Sequence, residues 1–178
     1  MHFKKRHPAV GASPGTLVLA EDSPAPVIRL YLYSTENFEE CTVEDVETLR
    51  DLAGRGSQAW IDVEGLGDER LLRQLGDVFS LHPLVLEDIV NVPQRPKVEE
   101  YDGQLLIISR MLRLTGSTSM DVEQISIVLG KDYVLTFQER SGDVLEPIRK
   151  RLREGKGIIR KSGSDYLAYA ILDTIIDS

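Results

Sequence analysis

Short apolar runs between polar turns, one of them alternating with polar positions, predict the strands in this chain of 178 residues. Val27–Tyr33 alternates over a length that is typical of strands, and Gln58–Val63 is a second short predicted strand that the Gly65–Leu66–Gly67 turn closes. Leu105–Leu114 and Val122–Leu129 are rich in aliphatic and β-branched residues, and the polar turn between them predicts a hairpin. A second tight turn leads into the predicted strand Tyr133–Gln138, so we expect three consecutive antiparallel strands.

Helical spacing and capping residues predict the other elements. One helix is expected over Thr42–Ala53, with Thr42 as its N-cap and two glycines after its end. Asp68 is the predicted N-cap of a second helix, whose apolar positions recur at helical spacing: Leu71, Leu72, Leu75, Val78 and Phe79. Asp143–Arg153 is predicted to form a helix with a basic face.

Three regions are predicted along the chain. Residues 1–25 carry Gly, Ser, Pro and basic residues without a period, which predicts a flexible arm with one short strand at Thr16–Leu19. Residues 26–163 mix strands and helices in an order that predicts an α/β fold with helices on both faces of a sheet. Residues 164–178 begin a last helix, and because it is uncapped at Ser178 we expect the sequence to belong to a longer protein.

Composition and charge exclude several classes of function. Hydrophobic residues make up 42% of the chain, and the single cysteine permits no disulfide framework. No run of about 18 apolar residues occurs, so no transmembrane helix is predicted within the sequence. The net charge of −8 argues against a general nucleic-acid-binding protein, whose surface would be basic. Motifs of nucleotide-binding and hydrolytic enzymes are missing, and we do not expect an enzyme.

The segment His82–Tyr101, HPLVLEDIVNVPQRPKVEEY, contains the best candidates for metal ligands. Its proline in second position favours the start of a short apolar helix, and the later prolines end that helix. Glu87 and Asp88 are adjacent acids within it, and carboxylate oxygens suit a hard cation such as Mg²⁺. The alternative is that these acids form salt bridges with Arg95 or Lys97 close by.

This segment resembles the cytosolic domain of CorA-type magnesium and cobalt transporters. The similarity rests on HPLVLEDI followed by QRPKVE, and it continues in the same order through LLIISRML, VLTFQE and GIIRKSGSDYLAYAILD. With PGTLV upstream, it covers nearly the whole chain from Pro14 onward. The resemblance implies an α/β/α sandwich with a mixed, partly antiparallel central sheet, whose trailing helices lead towards a stalk and the membrane.

The resemblance also implies a function. In the family, acids that match Glu87, Asp88 and Asp173 help to bind regulatory Mg²⁺ between neighbouring subunits, and Co²⁺ or other divalent cations can substitute. The implied protein is a homopentamer in the cell membrane, in which this domain senses the cation at the cytoplasmic face and gates ion uptake. A further aspartate ligand and the pore, with its Gly-Met-Asn signature, would lie beyond Ser178, so this region would sense ions without conducting them.

Two other functions remain open on the sequence alone. A zinc-efflux branch of the same superfamily shares the architecture, although its similarity to HPLVLEDI and QRPKVE is looser. The second is a stand-alone soluble metal-binding module. The uncapped helix at Ser178 argues against that module.

Overall fold

The computed structural model describes residues 11–52, 57–115 and 119–178. Seven strands form one sheet: β1 (Val27–Tyr33), β2 (Phe38–Thr42), β3 (Gln58–Glu64), β4 (Lys97–Tyr101), β5 (Gln104–Thr115), β6 (Ser119–Leu129) and β7 (Tyr133–Gln138). In these described ranges four α-helices accompany them: α1 (Glu69–Phe79), α2 (Pro83–Val90), α3 (Glu146–Glu154) and α4 (Ser164–Ile176). Two short 3-10 helices span Val46–Leu52 and Ile159–Lys161. Among the described residues, none of the helices has the length and apolarity needed to cross a membrane.

The sheet joins the two halves of the chain through its central strands. Its order is β2-β1-β3-β7-β6-β5-β4. β3 and β7 are parallel neighbours, whereas every other neighbouring pair is antiparallel. The predicted hairpin is β5–β6, and its antiparallel continuation into β7 is confirmed. The mixed, partly antiparallel sheet is confirmed as well.

Each face of the sheet carries its own apolar core. On one face, α1 and α2 pack with the first 3-10 helix over Ile61 and Val63 of β3. On the other face, α3 and α4 pack over Trp60 of the same strand. Because β3 is buried on both sides, it reads as a nearly continuous apolar run. The α/β/α sandwich is therefore confirmed.

Helix Thr42–Ala53 was predicted wrongly. Thr42 lies in β2, where it pairs with Arg29 of β1, and the element that follows is the 3-10 helix Val46–Leu52. Asp45 supplies the turn contact instead, because its Oδ1 accepts a hydrogen bond of 3.0 Å from the backbone N–H of Glu47. The predicted end of this helix, at Ala53 and the glycines after it, lies outside the described residues.

Two further elements differ from the prediction, a strand that does not form and a helix that begins later. No strand forms at Thr16–Leu19. A turn precedes this segment, in which the N–H of Thr16 donates to the carbonyl of Ser13, and Leu17 then packs into the first core. Helix α3 begins at Glu146 rather than Asp143, since Pro147 fits only the first turn of a helix.

Gly67 is expected to be sensitive to substitution because another backbone segment crosses it. A Cβ at Gly67 would lie 2.2 Å from the carbonyl oxygen of Ser23 and 2.7 Å from that of Pro24. We expect Gly67→Ala to lower the free energy of unfolding by about 1–3 kcal/mol, measured by urea denaturation. Gly163→Ala is the control, because there the close atom is the rotatable carboxylate of Asp165. Equal losses in the two variants would contradict this packing effect.

Candidate metal site

Helix α2 carries two predicted metal ligands, Glu87 and Asp88, outside its buried face, because its apolar residues face inward. His82 is the N-cap, and its Nδ1 accepts a hydrogen bond of 3.2 Å from the N–H of Leu84. Pro83 occupies the first turn, as predicted. The inward face buries Val85, Leu86, Ile89 and Val90 against the sheet. Glu87 and Asp88 lie outside this buried face and are half-buried.

Glu87 binds a part of the chain that was predicted to belong to the flexible arm. Its Oε2 accepts a hydrogen bond of 2.7 Å from the backbone N–H of Gly15. The same segment places Leu17 in the core below α2. The residues before Pro24 therefore hold one of the two acids in position.

Asp88 has both carboxylate oxygens occupied by the loop and strand that follow α2. Its Oδ1 accepts a hydrogen bond of 3.0 Å from Nε2 of Gln94, and its Oδ2 lies 2.7 Å from Nζ of Lys97. Lys97 also lies 2.8 Å from Oε2 of Glu99, to which the Tyr101 hydroxyl donates at 2.9 Å. The salt bridge between Asp88 and Lys97, one of the two pairings left open by the sequence, is thus present.

This ion cluster shifts the pKa of two of its members. Partial burial opposes the charge on Lys97, but the hydrogen bonds to Asp88 and Glu99 outweigh it and raise the pKa of the ammonium group. The hydrogen bond from Lys97 lowers the pKa of Glu99. Lys97 and Glu99 are therefore both charged at neutral pH, where they attract each other.

Gln124 of β6 holds the backbone around Asp88, and sequence reasoning missed it. Its Oε1 accepts a hydrogen bond of 2.7 Å from the N–H of Gln94, and its Nε2 donates to the Asp88 carbonyl at 3.3 Å. The side chain is buried, so it joins the end of α2 to the loop that carries Gln94. No local pattern signals this role, because the contacts span 30 and 36 residues of sequence.

Asp173 lies on the opposite side of the sheet from Glu87 and Asp88. It is exposed on α4, whose buried residues belong to the second core, whereas those of α2 belong to the first. The backbone carbonyl of Asp173 accepts the N–H of Asp177 at the end of the helix. A single copy of the chain therefore does not bring the three predicted ligands together.

A second group of acids, which was not predicted as a site, lies under α3. Carboxylate oxygens of Asp62, Glu64 and Asp143 lie within 4.8 Å of one another, a spacing that a metal ion can bridge. Here the chain supplies its own cation, because Nη2 of Arg149 lies 2.6 Å from Oδ2 of Asp62 and its Nη1 lies 2.7 Å from Oδ1 of Asp143. Arg29 pairs with Glu64 from the other side.

Neutral donors complete this buried cluster. Thr136 and Gln138 of β7 donate to Oδ1 of Asp62 at 2.7 and 2.8 Å. Trp60 donates in turn to the Thr136 hydroxyl at 2.8 Å, and the Arg149 guanidinium lies over its indole ring. The sequence carried one signal of this arrangement. Asp62 and its neighbour two residues on share one face of a predicted buried strand.

Burial and Arg149 act in opposite directions on the acids of this cluster. Burial raises the pKa of Asp62 and that of Glu64, and the attraction of Arg149 offsets only part of the effect. Burial acts in the same direction on Asp143, but the hydrogen bonds from Arg149 outweigh it and hold the pKa of Asp143 below its usual value. Because Arg149 occupies the space between the acids, the cluster is a structural ion network of this chain.

Comparison with known proteins identifies relatives over the whole length of the chain. A family model described as CorA-like Mg²⁺ transporter protein matches residues 56–178. The cobalt/magnesium transport protein CorA of Thermotoga maritima is 38% identical over 182 aligned residues. The alignment covers 99% of this chain and 51% of that relative, so the chain spans about half of its length.

Solved structures share the fold at lower sequence identity. The soluble domain of CorA from Methanocaldococcus jannaschii superposes with a TM-score of 0.61 at 18% identity, over 92% of this chain and 58% of that one. The full-length CmaX protein superposes with a TM-score of 0.69 at 17% identity, over 85% of this chain and 46% of that one. These matches support the three-layer architecture.

The family match confirms the resemblance seen in the motifs of residues 82–101. It also confirms that the chain is not an enzyme, since the family and its Thermotoga member are described as transporters. The family model covers well over half of the chain and includes both α2 and α4. The chain belongs to the family of CorA-like Mg²⁺ transporter proteins.

Proposed function

We propose that this chain is the cytosolic cation-sensing domain of a CorA-type magnesium and cobalt transporter. The domain lies at the cytoplasmic face of the membrane, in a homopentamer that membrane helices outside this sequence hold together. Mg²⁺ binds between neighbouring subunits through Glu87, Asp88 and Asp173, and Co²⁺ or other divalent cations substitute for it. The family match and the name of the Thermotoga relative support the proposal that the transported ions are Mg²⁺ and Co²⁺.

One observation carries the proposal that the ion lies between subunits. Asp173 is exposed on α4, on the face of the sheet opposite to α2 with Glu87 and Asp88. An ion that touches acids of both helices must therefore lie between two copies of the chain. In a ring of subunits the α2 side of one copy meets the α4 side of the next, which is a heterologous contact that closes on itself.

The side chains fit a hard divalent cation. Mg²⁺ prefers oxygen ligands, retains several waters and needs only one or two carboxylates from a protein. Asp88 already holds a positive charge 2.7 Å from its Oδ2, so the position tolerates a cation. The hydrogen bond between Gly15 and Glu87 fixes the neighbouring acid.

The proposed mechanism is a shift between two populations. At high cytosolic Mg²⁺, bound ions bridge acids of adjacent subunits and screen their repulsion, which stabilises a closed ring. When Mg²⁺ falls, the uncompensated charges separate the subunits and the open state gains population. The ion controls the equilibrium because it binds one state more tightly than the other.

Calorimetric titration with Mg²⁺ and Co²⁺ tests the proposal. We expect saturable binding by the full-length protein, in which neighbouring subunits meet, and Asp88→Ala should weaken it at least about tenfold because a direct ligand is lost. Asp77→Ala is the matched control, since it removes one exposed acid from α1 on the same face of the sheet. Equal binding by the wild type and Asp88→Ala would contradict the role of Asp88. Because Zn²⁺ binds most carboxylate sites more tightly than Mg²⁺, relative affinity does not identify the branch. Transport of Zn²⁺ and not of Mg²⁺ by the full-length protein would favour the zinc-efflux branch.

A further inference from the structure

We infer that Lys97 is a built-in competitor for the cation at Asp88, and that Glu99 becomes a ligand when the cation displaces the Lys97 ammonium. The inference rests on the proposed function, because it concerns the same carboxylate. It adds two residues of β4 to the site, one that opposes metal binding and one that supports it.

The geometry shows that a cation position exists between these two acids. Nζ of Lys97 lies 2.7 Å from Oδ2 of Asp88 and 2.8 Å from Oε2 of Glu99. An oxygen from α2 and an oxygen from β4 thus surround one positive charge. The Tyr101 hydroxyl donates to the same Oε2 of Glu99 at 2.9 Å, so this carboxylate is held in place independently of Lys97.

Strand geometry explains why these three β4 residues act together. Residues two apart in a strand point to the same face, and β4 alternates with Lys97, Glu99 and Tyr101 on its half-buried side. Among the strands of the described residues, β4 lies at the edge of the sheet and pairs only with β5. The cluster therefore lies at the rim of the sheet, where an ion can reach it from solvent.

The ammonium and a divalent cation cannot share this position. Mg²⁺ binds oxygen at about 2.0–2.1 Å, so an ion on Oδ2 of Asp88 would take the place of Nζ of Lys97. The Lys97 side chain is 27% exposed and has a flexible stem, so it can move into water without disturbing the fold. When it leaves, the net charge of Asp88, Lys97 and Glu99 around the ion changes from −1 to −2, and the ion gains a second carboxylate.

Competition of this kind lowers the affinity of the site for Mg²⁺. The ion must replace an existing salt bridge, so the apparent affinity is lower than two carboxylates alone would provide. On release of the ion, Lys97 returns to its position between Asp88 and Glu99, where its single charge compensates only one of the negative charges that the ion had screened. The concentration at which the domain responds is thus set by Lys97 as well as by the acids.

Substitution of Lys97 separates competition from a simple structural role. In Mg²⁺ titrations of the full-length protein, we expect Lys97→Met to lower the dissociation constant about fivefold, since a partly exposed ion pair no longer opposes the metal. Lys97→Arg keeps the charge and should bind no more tightly than the wild type. Lys156→Met is the matched control, because it removes an exposed lysine that pairs with Glu154 at 2.6 Å. Glu99→Gln, added to Lys97→Met, should reverse the gain.

Displacement of the ammonium can be observed directly. In ¹⁵N NMR spectra of lysine side chains, the Lys97 signal, assigned by its loss in Lys97→Met, should move on addition of Mg²⁺ towards that of a solvated lysine. The Lys156 signal should stay unchanged. Circular dichroism of each variant verifies that the fold is retained.

The possible results distinguish this inference from the proposed function. If Mg²⁺ binding depends on Asp88 but Lys97→Met does not tighten it, competition by Lys97 is wrong and the proposed site stands. If neither the wild type nor Lys97→Met shows binding that depends on Asp88, both proposals are wrong. Tightening in Lys156→Met equal to that in Lys97→Met would also overturn the inference, because the effect would then come from net charge.

Discussion

Replacement of Arg149 by methionine is expected to lower the free energy of unfolding by about 3–5 kcal/mol at pH 7. Arg149 neutralises Asp62 and Asp143, whose side chains are both buried below α3, at hydrogen-bonding distances of 2.6 and 2.7 Å. Without it, carboxylates on the same face of the sheet repel one another in a medium of low polarity. Methionine retains the aliphatic volume, so the loss reports mainly on charge.

The pH dependence of this variant identifies the cause of the loss. Without Arg149, burial of Asp143 is opposed only by its hydrogen bonds from Gln138 and the Leu145 N–H. Burial is the largest influence on this carboxyl, so we expect its folded-state pKa to rise above the unfolded value in the variant. A carboxyl whose pKa is higher in the folded state stabilises that state when the pH is below the unfolded pKa, near 4. This contribution to the free energy of unfolding is lost as the pH rises through the folded pKa. In the wild type, where Arg149 lowers the pKa of Asp143, stability is instead lost as the pH falls through that folded pKa. The two stability curves should therefore converge towards acid pH.

Urea denaturation between pH 4 and pH 8 measures both effects. Lys150→Met is the control, since Lys150 is the exposed neighbour of Arg149 on α3. Its loss of stability should stay below about 0.5 kcal/mol. A loss in Arg149→Met of the same size, or one independent of pH, would show that other groups compensate the buried acids.

In the full-length transporter proposed above, Asp88→Ala and Asp173→Ala should each remove protection by Mg²⁺ against proteolysis. The ion couples two subunits, so the Mg²⁺ concentration for half-protection is expected to rise at least about tenfold in either variant. Asp77→Ala, on α1, should respond like the wild type because it lies outside the proposed contact.

Co-expression of the two variants tests whether the site is shared between subunits. A subunit with Asp88→Ala still carries Asp173, and one with Asp173→Ala still carries Asp88. Random assembly around a ring then restores both acids at about a quarter of the contacts. Partial recovery of protection is therefore the expected result. Recovery no greater than in either variant alone would place both acids in one subunit or outside the contact.

The sequence by itself determined the elements whose causes are local. Strand β1 was predicted with its observed bounds, because alternation over seven residues marks a half-buried strand. Asp68 was predicted to cap α1, and its side chain accepts a hydrogen bond from Leu71 as a neighbour in sequence can. The motifs around α2 sufficed for the family, since they preserve order and spacing over nearly the whole chain.

Only the tertiary structure decided the features that depend on distant partners. The polar strand β2 has no strand pattern of its own and forms by pairing with β1. Arg149 meets Asp62 across 87 residues of sequence, and Gln124 meets Asp88 across 36. The position of Asp173 opposite Asp88 followed from the layers of the fold. Periodicity and capping act within a few residues, whereas burial and ion pairing act between residues that only the folded chain brings together.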